Sequence, residues 1–258
     1  MRVRLLGPVD AVIDGVPVPV SGLRRRAVLA ILALHGEKIV GTKQLIEAVW
    51  GDKAGGVSTN TLQSHMSALR RLLGDRNAIV ARAPGYLLDL GLGATDVAEA
   101  RVLVERGERC DDPAQSAAKL RAALALWRDR ALIDVGGVAW LDEHAVNLEG
   151  LRTRAQLALV RARLALGENA QLEPDLERLA HERPFDEQVH AQLMLALYRT
   201  GRQADALSVY RRLRTVLADN LGIDPNQRLR DLETAILRQD PVLDRSAFAV
   251  RLLAGCPT

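Results

Sequence analysis

The sequence predicts an α+β N-terminal domain followed by an all-α, tetratricopeptide-like helical domain. Three observations carry this. Short valine-rich stretches broken by Gly and Pro open the chain, a segment at 58–73 has two chemically distinct helical faces, and after Leu92 the sequence turns rich in Ala, Leu, Arg and Glu with an internal register of 34 residues. The expected layout is a first domain at 1–92, a helical domain at 93–240 and a C-terminal tail at 241–258.

Taken in order, Val3, Leu5, Val9, Val12, Ile13, Val16, Val18 and Val20 sit in stretches punctuated by Gly7-Pro8 and Asp14-Gly15, which predicts a small antiparallel sheet. Arg24 to Leu34 is helical, with Val28, Leu29, Ile31 and Leu32 apolar. Thr42 is expected to cap a second helix running to Val49, whose inner face is Leu45, Ile46 and Val49. A third helix follows and Gly74 stops it. Ala78 to Arg82 and Leu87 to Leu90 then flank a turn at Ala83-Pro84-Gly85-Tyr86, a hairpin-like wing. A leading sheet, three helices and a closing hairpin together resemble the winged helix-turn-helix of OmpR-type response-regulator effector domains. Because the wing closes this core, the segment to Leu92 is expected to fold alone.

The third helix carries the most chemistry. Leu62, Met66, Leu69 and Leu73 recur at helical spacing and pin it to a core, while Asn60, Ser64, Ser67 and Arg71 recur on the opposite side. That outer face is short and polar and lacks carboxylates, whereas an ordinary solvated helix mixes Glu with Lys. Small hydroxyl and amide groups let a helix sit deep in the major groove, where Asn60 and Gln63 suit adenine and Arg71 suits guanine or phosphate. Base reading is therefore expected from Asn60, Gln63, Ser64, Ser67 and Arg71. Phosphate contact is expected from Arg24, Arg25 and Arg26 at the start of the first helix, from Thr59, His65 and Arg70 on the third, and from Arg82 and Tyr86 in the wing. Each has a plain counterpart: solubility of a helix end for the arginines, helix packing for His65, and core packing for the Tyr86 ring. Charge agrees with the assignment, since residues 1–93 carry a net +5 of the whole chain's +3 and the remainder carries −2.

The pieces SGLRRRAVLAILAL, LIEAVWGD, NTLQSHMSALRRLLG and RAPGYLLDL resemble, in order and spacing, the N-terminal domain of the Streptomyces antibiotic regulatory protein family of transcriptional activators, an OmpR-type winged helix. Lys53 to Val57, KAGGV, departs from that pattern in lacking prolines. The resemblance continues through LALWRDRALIDV, WLDEHAVNLEGLRTRAQLAL and ALYRTGRQADALSVYRRLRTVLADNLGIDP, which look like the bacterial transcriptional activation domain of these proteins. It implies binding to direct repeats in double-stranded promoter DNA, contact with RNA polymerase holoenzyme through its sigma or alpha subunit, a homodimer on DNA, and control of secondary-metabolite (antibiotic) genes.

In the second domain Asp96 and Glu99 resemble a capping box, and seven helical segments follow between 97 and 238. Gly167, Leu172, Leu176 and Leu179 are echoed 34 residues later by Gly201, Ala206, Tyr210 and Leu213, the tetratricopeptide period. Pro184 falls where such a repeat ends, and Ala218 replaces it in the next copy. Trp127 and Trp140 suit packing at helix junctions better than a ligand pocket.

Other chemistries find little support. GDKAGGVS at 51–58 lacks the order of a phosphate-cradling loop, and His181, Glu182 and His190 lack the one-turn spacing of a zinc site and are expected at the surface. Cys110 and Cys256 show no metal-ligand spacing. No cofactor and no enzyme activity are expected. The absence of a signal-peptide core or a long apolar run predicts a cytoplasmic, nucleoid-associated protein without membrane contact. No acidic phosphorylation pocket precedes the first domain, so activity is expected to follow expression level or partner contacts. The reading from another class is a helical-repeat adaptor whose winged helix binds protein, or DNA only weakly.

Overall fold

The computed structural model describes residues 1–90 and 95–244. Among the described residues two compact units emerge, 1–90 and 95–105 together with 122–154, and 106–121 together with 155–244.

In the first unit β1 (Arg2–Arg4), β2 (Asp10–Ile13) and β3 (Val16–Pro19) form an antiparallel sheet in that order. Asp14 and Gly15 join β2 to β3 with φ of 50° and 82°, the left-handed pair that a two-residue hairpin needs. Next, α1 (Leu23–His35) buries every residue from Ala27 to Ala33, so it runs through the core instead of lying on it. β4 (Val40–Gly41), α2 (Thr42–Trp50), a 3-10 helix over Gly51–Gly56 and α3 (Thr59–Leu73) follow. Thr42 does not cap α2: it is the first helical residue, Gly41 holds the cap position in extended geometry, and Thr42 Oγ1 donates to Pro84 O at 3.2 Å. The reason is that β4 is drawn into the wing sheet, which fixes where α2 can start.

That sheet has the order β4-β6-β5, with β5 (Ile79–Arg82) antiparallel to β6 (Gly85–Leu88). The turn is Ala83-Pro84 alone. Gly85 and Tyr86, expected within it, belong to β6 opposite Gly41 and Val40. Glycine is required there because a Cβ on Gly85 would lie 1.8 Å from Val40 O.

The core of this unit is closed from beyond residue 94. The first segment of α4 (Asp96–Glu108) brings a buried carboxylate to β1, where Asp96 accepts from Leu5 N at 2.8 and 2.9 Å and from Leu6 N at 2.9 Å. Val3 and Thr95 form a parallel bridge. Farther along, Arg128 N donates to Leu6 O at 2.8 Å, Leu132 N to Leu5 O at 3.0 Å, and Val9 N to Asp134 Oδ1 at 2.9 Å. Leu5, Leu6 and Leu29 thus share one apolar cluster with Trp127, Leu132, Val138 and Leu141. The compact unit therefore runs past the composition change at Leu92, because the strand edge at 5–9 takes its hydrogen bonds from that later segment. The expected capping box also resolves differently. Thr95 Oγ1 accepts from Ala98 N at 3.1 Å, whereas Asp96 serves β1 and Glu99 pairs with Arg2.

Burial raises the Asp96 carboxyl above its ordinary value, against the lowering effect of the Leu6 and Leu5 amides and of Arg128 and Arg2. Trp127 is buried, and Trp140 stacks between His35 and His144 at centroid distances of 5.1 and 3.7 Å, the junction packing expected of both indoles.

The second unit is helical. It takes the remainder of α4, most of α5 (Pro113–Leu124), the latter part of α6 (Ala139–Ala165), then α7 (Asn169–Glu182), α8 (Glu187–Arg199), α9 (Gln203–Leu221) and α10 (Gln227–Leu237). The register of 34 is a structural repeat. Gly167 and Gly201 turn with φ of 81° and 80°, and Leu172, Leu176 and Leu179 on α7 are buried as Ala206, Tyr210 and Leu213 are on α9. α7 stops two residues before Pro184. With Ala218 at the equivalent place, α9 runs on to Leu221 and ends at the left-handed Gly222. Of the tail, Pro241–Asp244 forms a 3-10 helix with Leu243 buried. Cys256 and the rest of the tail lie outside the described residues.

Candidate nucleic-acid interface

Ser58 begins α3 by accepting from Thr61 N through its Oγ at 3.3 Å, and Gly74 ends it in the left-handed region at φ 70°. Between these stops Leu62, Met66, Leu69 and Leu73 are buried. The helix is thereby locked in rotation, and Asn60, Gln63, Ser64, Ser67 and Arg71 are all exposed, as is Thr59. Eleven residues separate Asn60 from Arg71, about 17 Å of helix at 1.5 Å per residue. No acidic side chain stands in this helix. The whole base-reading set named from sequence therefore lies on solvent-facing positions of one element.

The cations around it divide into two kinds. Arg25 is half-buried and Arg82 exposed at the wing turn. Arg24 donates to Val49 O, with its guanidinium 5.7 Å from the Trp50 ring centroid, so its stem and head are fixed at the end of α2. Trp50 in turn meets His65 at 5.6 Å. His65 is half-buried, and burial first, then the charges of Arg25 and Arg24, pull its imidazole below the ordinary 6.5.

Arg26 and Arg70 are engaged within the protein. Arg26 donates to Asp134 O and Val20 O at 3.2 Å each and pairs with the Asp134 carboxylate, while Arg70 Nε donates to Ile79 O at 2.8 Å and ties α3 to β5. Tyr86 is half-buried and packs its ring against the core, with its backbone in β6. Arg76 was not singled out from sequence. It is exposed just past Gly74, and the signal available was a cation two residues after a helix stop.

In the second unit, His181 and Glu182 are exposed, but His190, expected at the surface, is buried with Nδ1 2.9 Å from Asp186 O. The start of α8 folds that ring back over its own first turn. A groove of about 750 Å³ lies among α7, α8 and α9, floored by Ala180, Leu193, Leu197, Val209 and Leu213. Among the described residues, no cluster of His, Cys, Asp and Glu is arranged to hold a metal, and no helix is long and apolar enough to cross a membrane.

A winged helix with an acid-free outward helix face, followed by a helical-repeat unit, defines a transcription-factor architecture. Residues 22–88 match the family described as transcriptional regulatory protein, C terminal, and residues 95–237 match the bacterial transcriptional activator domain. The chain is 36% identical to the transcriptional regulatory protein EmbR of Mycobacterium tuberculosis over 98% of its own length and 67% of that protein's. It is 33% identical to the regulatory protein DnrI of Streptomyces peucetius, covering 99% of this chain and 98% of DnrI. Identity to the regulatory protein AfsR of Streptomyces coelicolor is 34%, over 94% of this chain but 25% of AfsR. A solved structure of Mycobacterium tuberculosis EmbR, in complex with a low-affinity phosphopeptide, superposes with a TM-score of 0.87 at 37% identity, over 98% of this chain and 69% of that one. The chain belongs to the Streptomyces antibiotic regulatory protein family of transcriptional activators, with an OmpR-type domain joined to a bacterial transcriptional activator domain. It is a transcriptional regulator and not an enzyme.

Proposed function

We propose that this protein is a cytoplasmic, nucleoid-associated activator that binds direct repeats in promoter DNA and switches on a secondary-metabolite (antibiotic) gene cluster. The observation that carries this is the exposed, carboxylate-free face of α3, with Asn60, Gln63, Ser64, Ser67 and Arg71 held outward by four buried apolar residues. On this reading α3 enters the major groove and the wing follows the adjacent minor groove. Thr59, Arg25, His65 and Arg82 touch phosphates, Arg24 assists from its seat on Trp50, and the Tyr86 hydroxyl supplements them. Arg26 and Arg70 act indirectly by holding α1 and α3 in place.

Functionally, 1–92 would carry the DNA contacts, 93–240 the activation surface and 241–258 a tail. Activation would come from contact with RNA polymerase holoenzyme, through its sigma or alpha subunit, and a homodimer would form on tandem sites. The apolar groove among α7, α8 and α9 favours a partner-binding role, because helical repeats without catalytic groups chiefly present surfaces.

The test is a titration of the full chain on cognate and random duplexes. Asn60→Ala and Arg71→Ala should each lose roughly 1–3 kcal/mol of preference for the cognate site with the fold intact. Unchanged discrimination in both variants would place the reading face elsewhere, and absence of binding to any duplex would favour an adaptor.

A further inference from the structure

Past the reading stripe, the end of α3 forms a cleft of about 570 Å³ lined by Ser67, Arg70, Arg71, Gly74 and Arg76. Its wall is chemically one-sided, with three guanidinium groups, one hydroxyl and no carboxylate. Asp75, the nearest acid in sequence, turns its Oδ1 to the amide of Asn77 at 2.7 Å. Arg70 is a fixed part of the wall through its bond to Ile79 O. Arg71 and Arg76 are exposed, and neither forms an ion pair among the described residues. Cations near a helix C-terminus offset its carbonyl dipoles, which accounts for Arg70 and Arg71. Arg76 lies beyond the helix, so that role does not account for it.

Ser67 and Arg71 belong both to the reading stripe and to the cleft. DNA lying along this stripe, about 17 Å from Asn60 to Arg71 at 1.5 Å per residue, therefore runs onto the cleft. We infer that this cleft seats a phosphodiester of the DNA backbone just outside the base pairs read by α3, with Arg76 as the residue that extends the footprint. The inference rests on the DNA-binding reading above. The occupant is a DNA phosphate and not an acidic peptide, because the cleft is continuous with the stripe that faces the bases. The exposed Arg76 guanidinium, with Arg70 fixed beside it, offers donors that match a non-bridging phosphate oxygen pair without reading sequence, while Ser67 and Arg71 keep their place in the reading stripe.

The experiment compares the full-length protein with R76Q by duplex titration at several KCl concentrations, with thermal melting as a check on folding. R76Q should melt like the parent, weaken binding to cognate and random duplexes alike by roughly fivefold to tenfold at 0.1 M salt, and lower the slope of log K against log salt by about 0.9. A cognate duplex trimmed to end at the Arg71 side of the site should bind both proteins equally, because the seated phosphate is gone. A loss confined to the cognate sequence, an unchanged salt slope, or an effect that persists on the trimmed duplex would each overturn the proposal. So would an R76Q defect seen only in titrations with inorganic phosphate or a glutamate-rich peptide, which would assign the cleft to a free anion or a protein partner. Failure of the parent protein to bind any duplex would instead overturn the DNA-binding reading itself.

Discussion

At the residue scale, the arginines show how neighbouring side chains of one type can have different fates in the fold. Arg26 and Arg25 are neighbours in sequence, yet Arg26 is bonded to Asp134, a residue 108 positions away. No local pattern in RRRAVLAILAL announces that partner, so sequence placed all three arginines at a phosphate. Arg26→Gln is expected to cost about 1–2 kcal/mol of stability in a denaturant titration while leaving the salt slope of DNA binding unchanged. Arg25→Gln should do the reverse, lowering the slope by about 0.9 at constant stability. A shared phenotype would show that the two positions are not separated in this way.

His65 gives a pH test with opposite signs for folding and binding. Its folded imidazole is pulled below 6.5 by burial and by Arg25 and Arg24, so the unfolded chain holds more protons in the window from 6.5 down to the folded value. Its contribution to stability is then present above that window and lost as pH falls through it. A phosphate seated beside these three groups offsets the arginine charges and favours the protonated ring. DNA binding should therefore take up a fraction of a proton below pH 6.5 and tighten on acidification. Calorimetry in buffers of different ionisation enthalpy measures the uptake, and His65→Gln should abolish it. Uptake unchanged in that variant would assign it to another group.

At the scale of elements, the apolar stripe and the stop of α3 are legible locally, whereas the caps expected at Thr42 and at Asp96 and Glu99 are lost to partners farther along the chain. The stripe of Leu62, Met66, Leu69 and Leu73 and the stop at Gly74 depend on contacts within four residues, and the structure has both. The wing was legible as a hairpin but not in its register, because the register is set across the sheet. Val40 and Gly41 pair with Tyr86 and Gly85 from 44 to 46 residues away, and this pulls two expected turn residues into β6. Gly85 is the tightest point of that pairing. Gly85→Ala should destabilise the protein by roughly 3 kcal/mol or more, since the obstacle is the Val40 carbonyl and not a flexible side chain. A melting temperature close to the parent's would mean that the β4–β6 approach is not held as tightly as this.

At the scale of the whole chain, the change of composition after Leu92 marks where helices take over but not where the first core ends. A fragment 1–92 lacks Asp96, Asp134 and the Trp127–Leu141 segment, leaving the Leu5, Leu6 and Val9 amides without their acceptors and Leu5 and Leu6 without part of their apolar cover. That loss amounts to several kcal/mol out of the roughly 5–15 available to a domain. The fragment is expected to unfold non-cooperatively or at markedly lower denaturant than the full chain, and to bind DNA weakly for that reason alone. Urea titration followed by circular dichroism decides it, and a cooperative transition at the parental midpoint would show that the wing closes the core unaided.

The sequence by itself determined the α+β and all-α division, the polar, carboxylate-free stripe on α3, the two copies of the 34-residue repeat and the family. Each is written in spacing over a few residues or in motifs kept in order. Only the tertiary structure decided which arginines point outward, where β6 begins, that His190 is buried, and that Asp96 closes β1. These depend on hydrogen bonds and packing between segments as much as about 125 residues apart. Backbone amides and guanidinium groups removed from water must find an acceptor, and the fold supplies that acceptor from parts of the chain that local periodicity does not connect.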